Sequence, residues 1–488
     1  MKELNLKDGL KGLLPVIIWS ILLFGGTPFI IEEHRYLASL LYLMSAVVLY
    51  GYFVWKDHKN YFSFPALFSG IWLLTLGLAG LQLTDYQVAW VAKSWWYSGI
   101  GYLCLICGLQ LGRGFFPILS KKLNMHNWTV FNEKSRIIFE LKENRLFALC
   151  MVAATVSFLA FVVNIYIKGY LPFFSDSPAA YTDFYTRLNI FAYAGTIASG
   201  LCYYCLKKQK LSRMKRVLLW AAIIYLVFLL PLLIVSRGTF MVAALSLSAA
   251  VFFLNDRKFW VMVLCFVIMF AGYEVGSVAR NLTDESLSVL LQPKQIEISN
   301  DNNGNQQQES DQRGNGEMNG ENNGTAASPV FQLPPKVLFF YTYLTVGHDN
   351  FDQAVRFSKS YAMGIRELVP FNVILRSDSL TKKIENAENY LVRPYLNTGN
   401  LFSDAYYDFH LFGIVFLSLI WGASFGIIEA FFLKYQTPCS FMVYGNTLTP
   451  VFLSFFTPWM SIFAVWLLWG TAFLIFLGSS FSIRRKEI

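Results

Sequence analysis

Charge is what this chain is shortest of. Of 488 residues only 15% are Asp, Glu, Lys or Arg, while 55% are hydrophobic; a soluble domain carries roughly 25% charged residues. That deficit excludes a protein with water on every side. No P-loop and no H-E-x-x-H occurs, so ATP-driven and zinc-hydrolase chemistry lose their usual support. The cysteines Cys104, Cys107, Cys150, Cys202, Cys205, Cys265 and Cys439 all lie in or beside apolar runs, and none is in the long polar stretch where a disulfide would be useful. Two pairs, Cys104/Cys107 and Cys202/Cys205, are C-x-x-C. Their apolar setting favours packing between helices over zinc or redox chemistry. Lys2, Lys7 and Lys11 precede an apolar run that continues to about Ile31 without an A-x-A-like cleavage site. This predicts an uncleaved first helix.

What the chain has instead is apolar runs of about 20 residues, the length that crosses a hydrocarbon core of roughly 30 Å as helix. The expected fold is therefore all-α and polytopic, with about twelve spans near 12–31, 36–55, 62–83, 94–112, 146–167, 191–206, 217–236, 239–254, 259–275, 409–433, 440–457 and 459–481. Residues 1–275 hold nine of these helices and 401–488 the last three. The formal charge of +9 sits in short clusters between the runs, which encodes orientation and gives no nucleic-acid surface. The N-terminus, the alternate connections and the C-terminal tail carry 24 Lys and Arg, the opposite short loops 5, and one long loop the remaining 11. Both termini, with the clusters at 207–216 and 484–486, are thereby predicted to be cytoplasmic.

The long loop, 276–400, falls on the far face. Residues 296–326, rich in Asn, Gln, Gly and acids, form an insert expected to be disordered. In 334–400 aromatic and aliphatic residues return, with turns at Pro335, Pro370 and Pro394, so this part is expected to fold at the membrane surface. Read as helix, 336–358 puts Phe340, Leu344, Gly347, Phe351 and Val355 on one stripe and His348, Asp352 and Arg356 on another, a half-buried helix that Gly347 could interrupt. His348, Asp349 and Asp352 are candidate catalytic groups; Asp352 and Arg356 also suit a simple i, i+4 pair. Arg237 is expected in the turn of a tight outer hairpin, suited either to a phosphate or to lipid headgroups. Glu274 and Arg280 flank the outer end of the ninth span. Asp404 and Asp408 read first as acids at a helix N-terminus, and His410 as interfacial packing.

Ser-Arg-Gly-Thr opening an outer hairpin, Tyr343-x-x-x-Gly347 in the large loop, and N-T-G…D-A-Y-Y-D-F…G ahead of a late span resemble the Wzy-type oligosaccharide repeat-unit polymerases of bacterial O-antigen and capsule synthesis. Where members often read D-F-G, this chain has Asp408-Phe409-His410, with glycine delayed to Gly413. The resemblance implies a GT-C-like membrane glycosyltransferase in the bacterial cytoplasmic membrane, needing neither metal, cofactor nor nucleotide sugar. Its substrate would be an undecaprenyl-diphosphate-linked glycan, and its partners membrane lipids, a chain-length regulator and a flippase. Arg237, Arg280 and Arg356 would contact the diphosphate, with Arg366 and Arg393 in reserve, and His348, Asp349 or Asp352 would be the base. An O-antigen ligase shares this architecture. A lipid-linked oligosaccharide flippase is the rival class, usually built of repeated halves with short loops.

Overall fold

The computed structural model describes residues 12–84, 86–122, 136–175, 184, 188–255, 259–278, 334–375, 377–385, 389–393 and 396–480. Arg280 and the insert at 296–326 lie outside them. Among the described residues every regular element is helical. In chain order the helices are α1 (Leu14–Lys56), α2 (Phe64–Leu81), α3 (Ala92–Lys122), α4 (Arg136–Lys168), α5 (Asn189–Gly195), α6 (Ala198–Lys208), α7 (Arg213–Ile224), α8 (Leu230–Leu233), α9 (Arg237–Leu254), α10 (Phe259–Val278), α11 (Pro335–Phe357), α12 (Val369–Leu375), α13 (Asp378–Glu385), α14 (Ser403–Tyr435), α15 (Pro438–Phe452) and α16 (Phe463–Ser480). Among the described residues seven stretches are long and apolar enough to cross a membrane: α1, α2, most of α3, Arg145–Lys168, Arg213–Leu233, α9 and α14. The apolar parts of α10 and α16 are shorter, and α11 is not in the set.

The first of these stretches turns back on itself. His34 leaves the helical region, and the Tyr52 hydroxyl then donates to the Gly12 carbonyl. Trp19 donates to Ser45 at 3.0 Å and Thr27 to Tyr42 at 3.0 Å. These contacts make α1 an antiparallel helical hairpin with its vertex near His34. Between α7 and α8 the chain widens into a π-helical turn, Tyr225–Leu229.

Helices α3 and α14 pack backbone against backbone. A Cβ on Gly112 would lie 2.0 Å from the Ala423 carbonyl oxygen, and one on Gly426 2.1 Å from that of Leu109. Gly108 and Gly422 face each other with the same intolerance. Each helix thus carries a G-x-x-x-G stripe, which lets backbones approach where side chains would hold them apart. The two helices run parallel, and at one end an ion network bolts them. Arg113 Nη2 lies 2.9 Å from Asp57 and 2.7 Å from Glu429, all three side chains nearly closed off from solvent. Glu429 also accepts from the Phe64 amide at 3.1 Å, one of the open donors at the start of α2, while Ser63 caps that helix and donates to Asp57.

Removing one member of a buried ion pair strands its partners and costs about 3–5 kcal/mol. Arg113→Ala should therefore lower the thermal unfolding midpoint in detergent far more than Lys434→Ala, whose side chain lies nearby as a long contact to Ser120. Equal midpoints for the two variants would remove the bolt from the account.

Candidate functional site

At the end of the bundle opposite Arg113, α11 is enclosed nearly all round. The expected half-buried helix is corrected here: Val346 and Phe351 are buried, but so are His348, Asp349, Asn350 and Asp352. The reason is that two connections, 82–94 and 389–402, wrap its polar side. Nor does Gly347 interrupt the helix. It admits the Phe455 carbonyl oxygen, which a Cβ would meet at 2.1 Å.

Each polar residue of this face has a definite partner. The Asn400 side-chain oxygen accepts from the Phe402 amide and from Ser403, so its amide nitrogen is the donor to His348 Nδ1 at 3.3 Å. His348 Nε2 must then carry the proton and donate to Thr75, whose hydroxyl hydrogen is directed at helix carbonyls. Burial pushes the His348 pKa down to about 3, so the ring is neutral with both nitrogens engaged. Asp349 accepts from Trp90 Nε1 at 3.0 Å and Gln87 at 2.9 Å. Burial nevertheless pushes its carboxyl up to about 7. Asp352 accepts from the Val91 amide, Ser94 and Arg356, and burial raises its pKa too. Arg356 closes the clasp on the Ala89 carbonyl. The triplet proposed as catalytic is thus brought together by the fold: the bonds of Asp349 and Asp352 hold the 82–94 connection, and those of His348 go to Thr75 and Asn400.

The arginines divide. Arg237 is the first residue of α9, not the middle of a turn as expected, because Ser236 caps that helix by accepting from the Thr239 amide. The reversal from α8 is made by Ile234 and by Val235 at φ +53°, a left-handed conformation that is an outlier for a β-branched residue. Arg237 is 9% exposed, and its guanidinium lies over the rings of Tyr343 and Phe339 on α11, 5.2 and 5.8 Å from their centroids. With Ser236 it also lines a largely apolar cavity of about 240 Å³, whose other walls include Phe228, Leu232, Val235, Phe240 and Ile268. Arg366 pairs with Asp404 at 3.3 Å and covers the Tyr407 ring. Arg393 is buried beside Tyr86, and its Nε and Nη2 make no hydrogen bond among the described residues. Glu274 is half-buried on α10.

Asp408 does not cap its own helix; its carboxylate accepts from the amides of Arg366 and Glu367. Around it the structure adds a residue that the sequence gave no reason to single out. Burial, reinforced by Asp404 and Asp408, pushes the Glu367 carboxyl up to about 8, and the residue is only half-buried. Compared with models of known protein families, with curated proteins and with solved structures, the chain matches none.

Because the folded state holds the Asp349 proton to about pH 7 and the unfolded chain releases it near 4, the native state binds more protons between those values. Stability from this group is present at low pH and falls as pH rises through that window. Asp349→Asn should flatten the decline in unfolding midpoint between pH 5 and pH 7.5, measured in detergent. An unchanged slope would mean that Asp349 is ionised throughout.

Proposed function

We propose that this protein is a membrane glycosyltransferase that polymerises undecaprenyl-diphosphate-linked oligosaccharide repeat units at the outer face of the bacterial cytoplasmic membrane. The observation that carries this reading is Arg237 at the wall of an apolar cavity between helices of membrane-crossing length. An isoprenoid diphosphate has these two parts, a chain that leaves water and a headgroup that needs a cation. Arginine meets the second with a planar fork that binds phosphate oxygens in pairs.

In the proposed step the acceptor sugar's hydroxyl oxygen attacks the anomeric carbon of the donor glycan. The bond from that carbon to the diphosphate breaks with inversion, and the lipid diphosphate leaves with the electron pair. Arg237 stabilises the charge that develops there, without reorganising, because Ser236 and the aromatic rings hold it. The hydroxyl proton passes to a carboxylate. Glu367 suits that role better than His348, Asp349 or Asp352: it is half-buried, and a pKa of about 8 matches a base working near neutral pH. Arg366, beside it, is a second cation for the same end.

The accompanying layout has about twelve crossings in a GT-C-like arrangement. It counts α1 as two and adds α5 with α6, α10, α15 and α16 to the longer helices. The basic connections 56–60 and 207–216 and residue 434 share the Arg113 end, which this reading places in the cytoplasm.

Arg237→Ala should abolish or severely shorten the polymer at normal protein abundance, since losing one such contact commonly lowers rate by about 10²–10³. Arg237→Lys should rescue only in part, keeping charge without the fork. Chain-length ladders on a polysaccharide gel are the readout. A wild-type ladder from the alanine variant would take Arg237 out of the site.

A further inference from the structure

At the α11 end of the bundle a second cavity, of about 470 Å³, is lined by Tyr97, Tyr361, Met363, Tyr406, Phe409 and His410. Its volume is that of a small-molecule site, roughly 300–1,000 Å³. The backbone around it is under strain at two places. Met363 has φ +54°, and His410, inside α14, has φ +50° and ψ −137°. The second pair of angles is close to the first central position of a type II′ turn, which glycine occupies at no cost. A histidine held there costs on the order of 1–3 kcal/mol and persists only where its surroundings fix it.

Its surroundings here do so. The amides of Ala362 and Met363 donate to the carbonyls of Tyr407 and Asp408, tying the 358–368 segment to the break in α14. The His410 ring is then stacked between Tyr361, 4.2 Å away, and Tyr406, 4.8 Å away. Tyr97 lies beyond Tyr406 at 5.9 Å. The strained histidine is the middle of an aromatic column, and without its ring the two tyrosines have nothing between them. Tyr361 and Met363 are largely exposed, at 54% and 70%, so the cavity opens outward from the bundle.

We propose that this cavity binds a pyranose ring of the lipid-linked glycan, a reading that rests on the glycosyl-transfer function above and adds a sugar subsite to it. A pyranose has a face of C–H groups and a rim of hydroxyls. Rigid aromatic faces with phenol hydroxyls at their edges offer both complements, an apolar platform and donors or acceptors around it. Among the described residues no cation or carboxylate lines the cavity, which suits an uncharged sugar and disfavours a phospholipid headgroup. His410 acts as a positioning residue for Tyr361 and Tyr406.

The test places a benzophenone amino acid at residue 363 of the full chain in cells that make the glycan. The purified, denatured protein is then probed for carbohydrate by periodate staining, with the same group at the exposed position 29 of α1 as control. Position 363 should yield a glycan-bearing adduct, and position 29 none. A single repeat unit on the adduct would identify the acceptor and a ladder the donor chain, both supporting a sugar subsite. His410→Gly should cut the adduct by about tenfold, as expected when stacking contacts are lost, while its unfolding midpoint stays level or rises because strain is relieved. Tyr361→Ala should cut it similarly. A phospholipid adduct alone, an undiminished glycan adduct in His410→Gly, or a fall in that variant's midpoint would each overturn the proposal. The polymerase reading fails separately: a glycan adduct from a protein that forms no glycosidic bond would leave the subsite standing and that reading refuted.

Discussion

Two helices pressed together along glycine set the frame for everything else in this protein. Gly108 and Gly112 on α3 meet Gly422 and Gly426 on α14 so closely that either helix's backbone oxygen would collide with any Cβ on the other. In lipid no hydrophobic force drives helices together, so close backbone contact and polar bonds must do it. The Arg113 network supplies the bonds at one end. At the other end α14 breaks at Phe409 and His410, and the broken turn receives the 358–368 segment. The same pair of helices thus fixes both a buried ionic lock and the rim of the aromatic cavity.

Strain is distributed with a pattern. Left-handed conformations at Gln82 and Gln436 end helices α2 and α14, an ordinary use. Those at Val235, Met363 and His410 line the two cavities instead. Backbone of this kind is kept where surrounding bonds over-determine it, and such places are often ligand sites. It is an argument for function that is independent of any motif.

The sequence was informative wherever one dimension suffices. Apolar runs locate helices because membrane thickness sets their length, and the amphipathic spacing of 336–358 found α11 and the crowding of His348, Asp349 and Asp352 on it. What failed was the inference from polarity to exposure: those side chains are buried because the 82–94 and 389–402 connections bring them partners such as Gln87, Trp90 and Asn400, from positions no local pattern links. The hairpin reading put Arg237 at the reversal between α8 and α9, but its position at the head of α9 depended on Ser236 acting as a cap. The G-x-x-x-G stripes were not singled out from the sequence, and spacing alone does not say which helix is the partner. Glu367 and the aromatic column had no signal at all, since each exists only through the contact between the 358–368 segment and the break in α14.

The proposed activity joins glycan to glycan on a lipid diphosphate, with Arg237 and its neighbours as the site. Its most direct measurement uses purified protein in lipid nanodiscs, supplied with the lipid-linked repeat unit extracted from native cells, with a metal chelator present and nucleotide sugars absent. A ladder of lengthening lipid-linked products is the expected result. Repeat units that are recovered unjoined, or only moved across the bilayer, would contradict it.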